Sequence, residues 1–286
     1  MRRILRGAAA SVFVLCALAA AAHADDWERA YAVTRTTQLK LTTGDARVVV
    51  HPGARDQVRM RIHTNGLSIG HRLAIEVDQT PGTWTARVRE RPHWFGFTID
   101  FDFHPRVIVD LEVPADCQLQ VATGDGGIEA DGVGGRVDLH TGDGGIRVHD
   151  LRGEVLLDTG DGGVEAHAID GRLTAHSGDG GLHLDGRFDE LDVSSGDGSV
   201  ELAVNPGSRV ASAWSVRTGD GGVRLRLPRD LKADLHAHTG DGGIRLDIPV
   251  EVSGEFGRHD LHGALNGGGG PLEVRSGDGS IHIMAS

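Results

Sequence analysis

Thr123-Gly-Asp-Gly-Gly-Ile128, Thr141-Gly-Asp-Gly-Gly-Ile146, Thr159-Gly-Asp-Gly-Gly-Val164, Ser177-Gly-Asp-Gly-Gly-Leu182 and Ser195-Gly-Asp-Gly-Ser-Val200 follow one another at intervals of 18 residues. A unit this short cannot bury an apolar face of its own, so self-similarity at one fixed period predicts a solenoid whose units stack on each other. The phrase returns at looser spacing as Thr218-Gly-Asp-Gly-Gly-Val223, Thr239-Gly-Asp-Gly-Gly-Ile244 and Ser276-Gly-Asp-Gly-Ser-Ile281, and Thr43-Gly-Asp-Ala-Arg47 is a degenerate forerunner.

Counting from the Thr or Ser as position 0, the apolar positions repeat. Position 5 reads Ile128, Ile146, Val164, Leu182, Val200, and position 7 reads Ala130, Val148, Ala166, Leu184, Leu202. Position 14 reads Val137, Val155, Leu173, Leu191, and position 16 reads Leu139, Leu157, Ala175, Val193. Two pairs spaced by two are two short strands with alternate side chains inward, and position 10 (Val133, Leu151, Ile169) fills the corner between them. At about 3.3 Å per residue, one unit traces a loop of roughly 59 Å, and successive loops lie about 4.8 Å apart in parallel register. The expected fold is a single all-β parallel solenoid with 18-residue coils in the central block, right-handed as parallel crossovers are.

In-register stacking places each outward side chain beside its equivalent in the next unit. Position 6 runs Glu129, Arg147, Glu165, His183, Glu201, and position 13 runs Arg136, Glu154, Arg172, Glu190, so neighbours carry opposite or neutral charge. One charged column does not alternate: Asp125, Asp143, Asp161, Asp179 and Asp197. These carboxylates are expected to accept hydrogen bonds from N–H groups of their own turns, with cations such as Ca²⁺ between them as the alternative. The corner glycines are expected to supply positive φ, and Gly135, Gly153 and Gly171 to do the same at the opposite corner.

Residues 25–120 carry the pattern irregularly, with strand-like alternation at Arg47-Val-Val-Val50, Val58-Arg-Met-Arg-Ile62, Leu73-Ala-Ile-Glu-Val77 and Val107-Ile-Val-Asp-Leu-Glu-Val113. Within them, Pro92-His-Trp-Phe-Gly-Phe-Thr-Ile-Asp-Phe-Asp-Phe103 reads as a half-buried strand whose aromatic face covers an end or flank of the stack, with an exposed patch led by Trp94 and Phe95 that contacts a partner or lipid as the alternative. Residues 121–286 are the repetitive solenoid, and its last coils, with Gly267-Gly-Gly-Gly270 before a final strand pair, are expected to close it.

Residues 1–24 combine Arg2, Arg3 and Arg6 with an apolar run and an Ala22-His-Ala24 ending, the pattern of a secretory signal peptide. Cys16 lies in that leader, and Cys117 is the single cysteine after it, so no intrachain disulfide is expected. A net charge of -12 disfavours a nucleic-acid partner, and no later stretch is long and apolar enough for an integral membrane segment. The expected location is periplasmic, cell-surface or secreted.

The strand ending in Val113-Pro-Ala115, the repeated Thr-Gly-Asp-Gly-Gly-Ile units, and His262-Gly-Ala-Leu-Asn-Gly-Gly-Gly-Gly270 leading into Ser276-Gly-Asp-Gly-Ser-Ile281 resemble the DUF4097 family of exported β-strand-repeat proteins. The resemblance runs from about Leu39 to the C-terminus, and a more distant similarity extends to autotransporter-adhesin head domains. It implies an adhesin without catalytic residues. The Gly-Asp-Gly-Gly corner is more uniform here than the family's usual turn.

Candidate chemistry is sparse. Gly-Asp-Gly-Gly is similar to calcium-binding nonapeptide rolls, which need acidic ligands at every turn of a nine-residue repeat; this chain has one Asp per 18 residues. His236-Ala-His238 has metal-pair spacing, yet His140, His176 and His183 show that outward decoration is the rule. A Thr/Ser column beside glycines is poor evidence for ice binding. A polysaccharide hydrolase needs one distinct carboxylate pair, and the surroundings of Cys117 hold no nucleophile signature. The expectation is a non-catalytic protein with no cofactor and no metal, binding an unidentified envelope or cell-surface component.

Overall fold

In the corners of this chain, backbone packs directly on backbone, and that contact aligns everything else. The computed structural model describes residues 26–65, 67–91, 106–249 and 251–286. The leader with Cys16 and the aromatic stretch at 92–103 lie outside them. Among the described residues all regular structure is strand, and no helix is long and apolar enough to cross a membrane.

Before the repeats come β1 (Asp26–Ala32), β2 (Gln38–Thr43), β3 (Arg47–Pro52), β4 (Gln57–Asn65), β5 (Leu73–Thr80), β6 (Thr83–Glu90) and β7 (Arg106–Val113). The repeats supply β8 (Asp116–Thr123), β9 (Ile128–Asp131), β10 (Gly134–Thr141), β11 (Ile146–His149), β12 (Arg152–Thr159), β13 (Val164–Ser177), β14 (Leu182–Ser195) and β15 (Val200–Val204). After them follow β16 (Trp214–Thr218), β17 (Val223–Leu227), β18 (Ala233–Thr239), β19 (Ile244–Asp247), β20 (Glu251–Phe256), β21 (Asp260–Leu265), β22 (Gly270–Ser276) and β23 (Ile281–Ala285).

The central strands form two ribbons of parallel pairs. In the first, β8, β10, β12 and the second half of β13 stack so that Thr123 meets Thr141, Thr141 meets Thr159, and Thr159 meets Ser177, each 18 residues on. In the second, Ile128, Ile146, Val164, Leu182 and Val200 align the same way through β9, β11, β13, β14 and β15. We call one turn through both ribbons a rung. The inward positions anticipated from periodicity are the core: Ile146, Val164, Leu139 and Leu173 are completely buried, and Val133, Leu151 and Ile169 fill the corner. In β14 a register shift substitutes Phe188, which is fully buried and meets Trp214 edge-on at 6.4 Å between ring centres.

Chain order and stacking order part company at both ends. The first rung, β2 with β3, lies between the β8–β9 rung on one side and β6 and β7 on the other. The last strand pair, β22 with β23, is likewise flanked on both sides, by β16–β17 and by β18–β19. The expectation that the final pair closes the stack is therefore corrected. Closure falls to antiparallel strands: β5 on β6, β4 on β7 and β1 on β4 at one end, β21 on β18 and β20 on β21 at the other. β1 to β7 pair into the same sheet as the repeats, with β4 and β5 running antiparallel to the stacked rungs. Antiparallel partners pair the backbone of the terminal rungs, which would otherwise leave rows of open N–H and C=O groups.

The corner glycines have a different cause from the one anticipated. None of Gly142, Gly144 or Gly145, nor their equivalents, sits in the left-handed region, whereas Gly135, Gly153 and Gly171 do, with φ of 97°, 103° and 133°. What the Gly-Asp-Gly-Gly corner requires is closeness. A Cβ at Gly162 would stand 2.0 Å from the carbonyl oxygen of Gly144, and one at Gly144 2.2 Å from that of Gly126. At the last glycine of the corner the gap opens to 3.3 Å for Gly145 and 3.2 Å for Gly163, and Ser199 and Ser280 are found at that position in other rungs.

Gly162→Ala should accordingly cost roughly 3 kcal/mol and lower the melting midpoint by about 10 °C, because the obstructing atom is backbone and cannot swing away. Gly44→Ala meets nothing within 4 Å and should leave the midpoint unchanged. Equal effects in thermal melts of the two variants would contradict a corner limited by close approach.

Candidate functional site

Each corner is held from inside by its hydroxyl. Thr141, Thr159, Ser177 and Thr239 are all but completely buried. Thr159 Oγ1 donates to the Gly144 carbonyl of the preceding rung at 2.8 Å and accepts from Gly162 N–H of its own rung at 3.2 Å. Ser177, Ser195 and Thr239 repeat this arrangement. Backbone ladders run alongside, Gly142 N–H to Gly124 O at 2.6 Å and Gly160 N–H to Gly142 O at 2.7 Å. The Thr/Ser column is thus a structural column, filling a polar requirement within an apolar interior.

The Asp column does not do what its sequence suggested. Asp125, Asp143, Asp161, Asp179 and Asp197 are exposed, and no N–H of the described residues donates to their carboxylates. The turn N–H groups are already engaged by the hydroxyls and by carbonyls of the neighbouring rung, which leaves the carboxylates to water. Stacking order extends the column to Asp45 at one end and to Asp220, Asp278 and Asp241 at the other. Carboxylates about 4.8 Å apart repel by about 0.9 kcal/mol in water, a cost that solvent exposure and salt keep small. Among the described residues no group of three His, Cys, Asp or Glu lies close enough together to hold a metal ion.

The outward side of the second ribbon carries a trough along the stack. Three depressions of about 270, 160 and 500 Å³ run from Val49 and His51 on β3 to Ile244 and Arg245 on β19. The first two share His167, and the second and third share Glu201 and Arg224, so they form one continuous channel. The anticipated position 6 ladder lines it. Arg147 reaches Glu165 at 3.0 Å and Glu129 at 3.8 Å, Arg47 also bonds Glu129, His183 faces Glu201 at 3.8 Å, and Arg224 bonds Glu201. On the first ribbon the position 13 ladder closes between Arg136 and Glu154 at 3.0 Å and between Arg172 and Glu190 at 2.6 Å.

A second column in the trough escaped the sequence reading. Position 8 reads Asp131, His149, His167, Asp185, and His149 Nδ1 lies 3.1 Å from Asp131 while His167 Nδ1 lies 2.5 Å from Asp185. The same 18-residue count would have shown it. Farther along, the Asp247 carboxyl is held below its ordinary value, chiefly by its bond to His282, with burial opposing and Arg245 assisting.

The other flagged residues are accounted for. His140 pairs with Asp158 at 2.9 Å and His176 with Ser194 at 2.8 Å, both on the outward side as anticipated. His236 and His238 also face outward, but separately engaged: His236 packs edge-on against His262 and His238 bonds Asp260 at 2.6 Å. Cys117 is buried, and burial, with the nearby Asp116 charge, pushes its thiol up to about 12, so it is not a ready nucleophile.

The sequence profile of the family described as Toastrack DUF4097 matches residues 36–284. No functionally curated protein matches the chain. Among solved structures, a candidate adhesin from Parabacteroides merdae aligns with 91% of this chain and 96% of its own at 11% identity and a TM-score of 0.48. A candidate lipid-binding protein from Parabacteroides distasonis aligns over the same shares at 12% identity and a TM-score of 0.48. A candidate adhesin from Bacteroides fragilis covers 91% of this chain and 97% of its own at 10% identity and a TM-score of 0.34. Values this low carry nothing about ligands.

The division of labour at the corner is testable. Thr159→Val strands a half-buried carbonyl and a half-buried N–H and should cost about 1–3 kcal/mol. Asp161→Asn touches only solvent and should stay within about 0.5 kcal/mol of the native protein. Urea melts that reversed this order would return the structural role to the aspartates.

Proposed function

The chain belongs to the DUF4097 (Toastrack) family, and from that premise we propose that it is an exported, non-catalytic binding protein that engages an envelope or cell-surface component along its trough, as an adhesin does. The observation that carries this reading is the continuity of the trough, whose lining comes from one rung after another rather than from a single constellation. Charged and imidazole groups recur along it at the rung spacing, which suits a partner of repeating chemistry held by many weak contacts. Their sum gives useful affinity by avidity although each is small.

The scaffold in this reading is a right-handed solenoid of 18-residue coils, favoured by the parallel 18-residue register and by the preference of parallel crossovers for one hand. Export is supported by the leader pattern of residues 1–24, which points to a periplasmic, cell-surface or secreted mature chain.

Cross-linking in native cells followed by fractionation should recover the protein with the envelope or outside the cell, joined to an envelope component. Recovery from the cytoplasm alone would contradict the proposal. Single substitutions along the trough, such as Glu129→Gln or Glu165→Gln, should each weaken binding to that component by no more than about fivefold, the effect of one exposed ion pair. A complete loss on changing one carboxylate would instead indicate a hydrolase.

A further inference from the structure

Three successive rungs at the wide end of the trough break the charge alternation. Arg224 on β17, His282 on β23 and Arg245 on β19 occupy the same outward position, His282 lying in register between the two arginines. The last strand pair of the chain is threaded between two earlier rungs, so His282 separates two arginines that chain order alone would have made direct neighbours. Partners are too few to neutralise it. Glu201 serves Arg224, and Asp247 is shared between His282 at 2.7 Å and Arg245 at 3.6 Å. Arg226, two residues on along β17, is exposed, has no partner among the described residues and lines the adjoining depression of about 160 Å³. The ionisable lining of this end is thus two arginines and a histidine against one carboxylate, Glu201, with Asp247 beside it, in a chain whose formal net charge is -12.

The floor beneath them is open. The depression of about 500 Å³ is lined there by Gly222 and Gly243, which have no side chains, and by Ser199 and Ser280. Those two serines stand where Gly127, Gly145, Gly163 and Gly181 stand in earlier rungs, so hydroxyls appear at this position only where the basic side chains gather. Ser199 Oγ has no partner among the described residues, and Ser280 Oγ is approached only by Gly243 N–H, at 3.5 Å.

We propose that this end of the trough is a subsite for a phosphoryl group, either free or carried on a lipid headgroup. The inference rests on the trough being the binding face and names the chemistry of one part of it. Guanidinium forks and hydroxyls are the donors that phosphate oxygens take, and donors arriving from three rungs suit oxygens that point in three directions better than the two coplanar oxygens of a carboxylate. Asp220, Asp278 and Asp241 stand at the corner of the same rungs, outside the lining. Their field opposes an anion, so the affinity is modest and the subsite acts as one contact among several.

The test uses the full mature chain, its Arg224→Gln/Arg245→Gln variant, and an Arg136→Gln/Arg172→Gln control on the other ribbon. Side chains at all four positions are more than half exposed, so both variants should keep the native melt. Calorimetric titration with inorganic phosphate should show saturable binding by the native chain and the control, weakened at least about tenfold in Arg224→Gln/Arg245→Gln. Co-sedimentation with phosphatidic acid in phosphatidylcholine vesicles, against phosphatidylcholine alone, identifies the source. Binding to the acidic vesicles that phosphate competes away assigns a lipid headgroup, and phosphate binding without vesicle binding assigns a soluble phosphorylated ligand; both support the subsite. Absence of phosphate binding by the native chain, or equal weakening in the two variants, overturns it. Recovery of the protein with an envelope component does not depend on these arginines, so the subsite can fail while the broader function stands.

Discussion

Where one Gly-Asp-Gly-Gly corner lies on the next, the middle glycine of the upper rung rests against the carbonyl of the lower one with no room for a methyl group, Cβ to oxygen being 2.0–2.2 Å at Gly144, Gly162, Gly180 and Gly198. The contact lets adjacent corners pass the backbone ladder from glycine to glycine without interruption. A buried hydroxyl then fixes the height of each corner by bonding upward and downward at once. Because strands enter and leave the corner immediately, its alignment carries into both ribbons. A slip of a single residue would turn every core side chain outward.

Given that alignment, the remaining order follows with little further specification. Inward columns of Val, Ile and Leu supply most of the stabilisation, each fully buried side chain contributing about 1.5–3 kcal/mol. Outward columns contribute little individually, being exposed ion pairs, but opposed charges such as Arg147 between Glu129 and Glu165 are satisfied only in the native register. Antiparallel strands finish both ends, and threading the last strand pair between earlier rungs places His282 between Arg224 and Arg245, which chain order alone would have made direct neighbours.

Much of this was legible in the sequence because a periodic fold repeats its evidence. Positions 5, 7, 14 and 16 gave the core, and positions 6 and 13 gave the ladders, since a parallel in-register stack turns sequence period into spatial adjacency. Three things were not legible. The role of the corner glycines was mistaken because the composition of a turn does not distinguish positive φ from close approach. The structural role went to Asp rather than to Thr and Ser because both side chains cap turns in isolation, and only the direction in which they point, Thr159 inward and Asp161 outward, decides between them. The threading of β22–β23 was hidden because an interval of 37 residues between Thr239 and Ser276 gives no sign of which rung the chain returns to.

The trough inherits its character from the same alignment: a face built rung by rung is as regular as its corners. If corner contacts set the register, whole rungs are interchangeable and fractions of a rung are not. The most direct measurement is a pair of internal deletions compared by circular dichroism and thermal melting. Removing residues 142–159, one full interval of 18, joins Thr141 to Gly160 and should leave a strand spectrum with a cooperative transition. Removing 142–158, one residue fewer, should abolish that transition. Equal folding of the two proteins would contradict a register fixed at the corners.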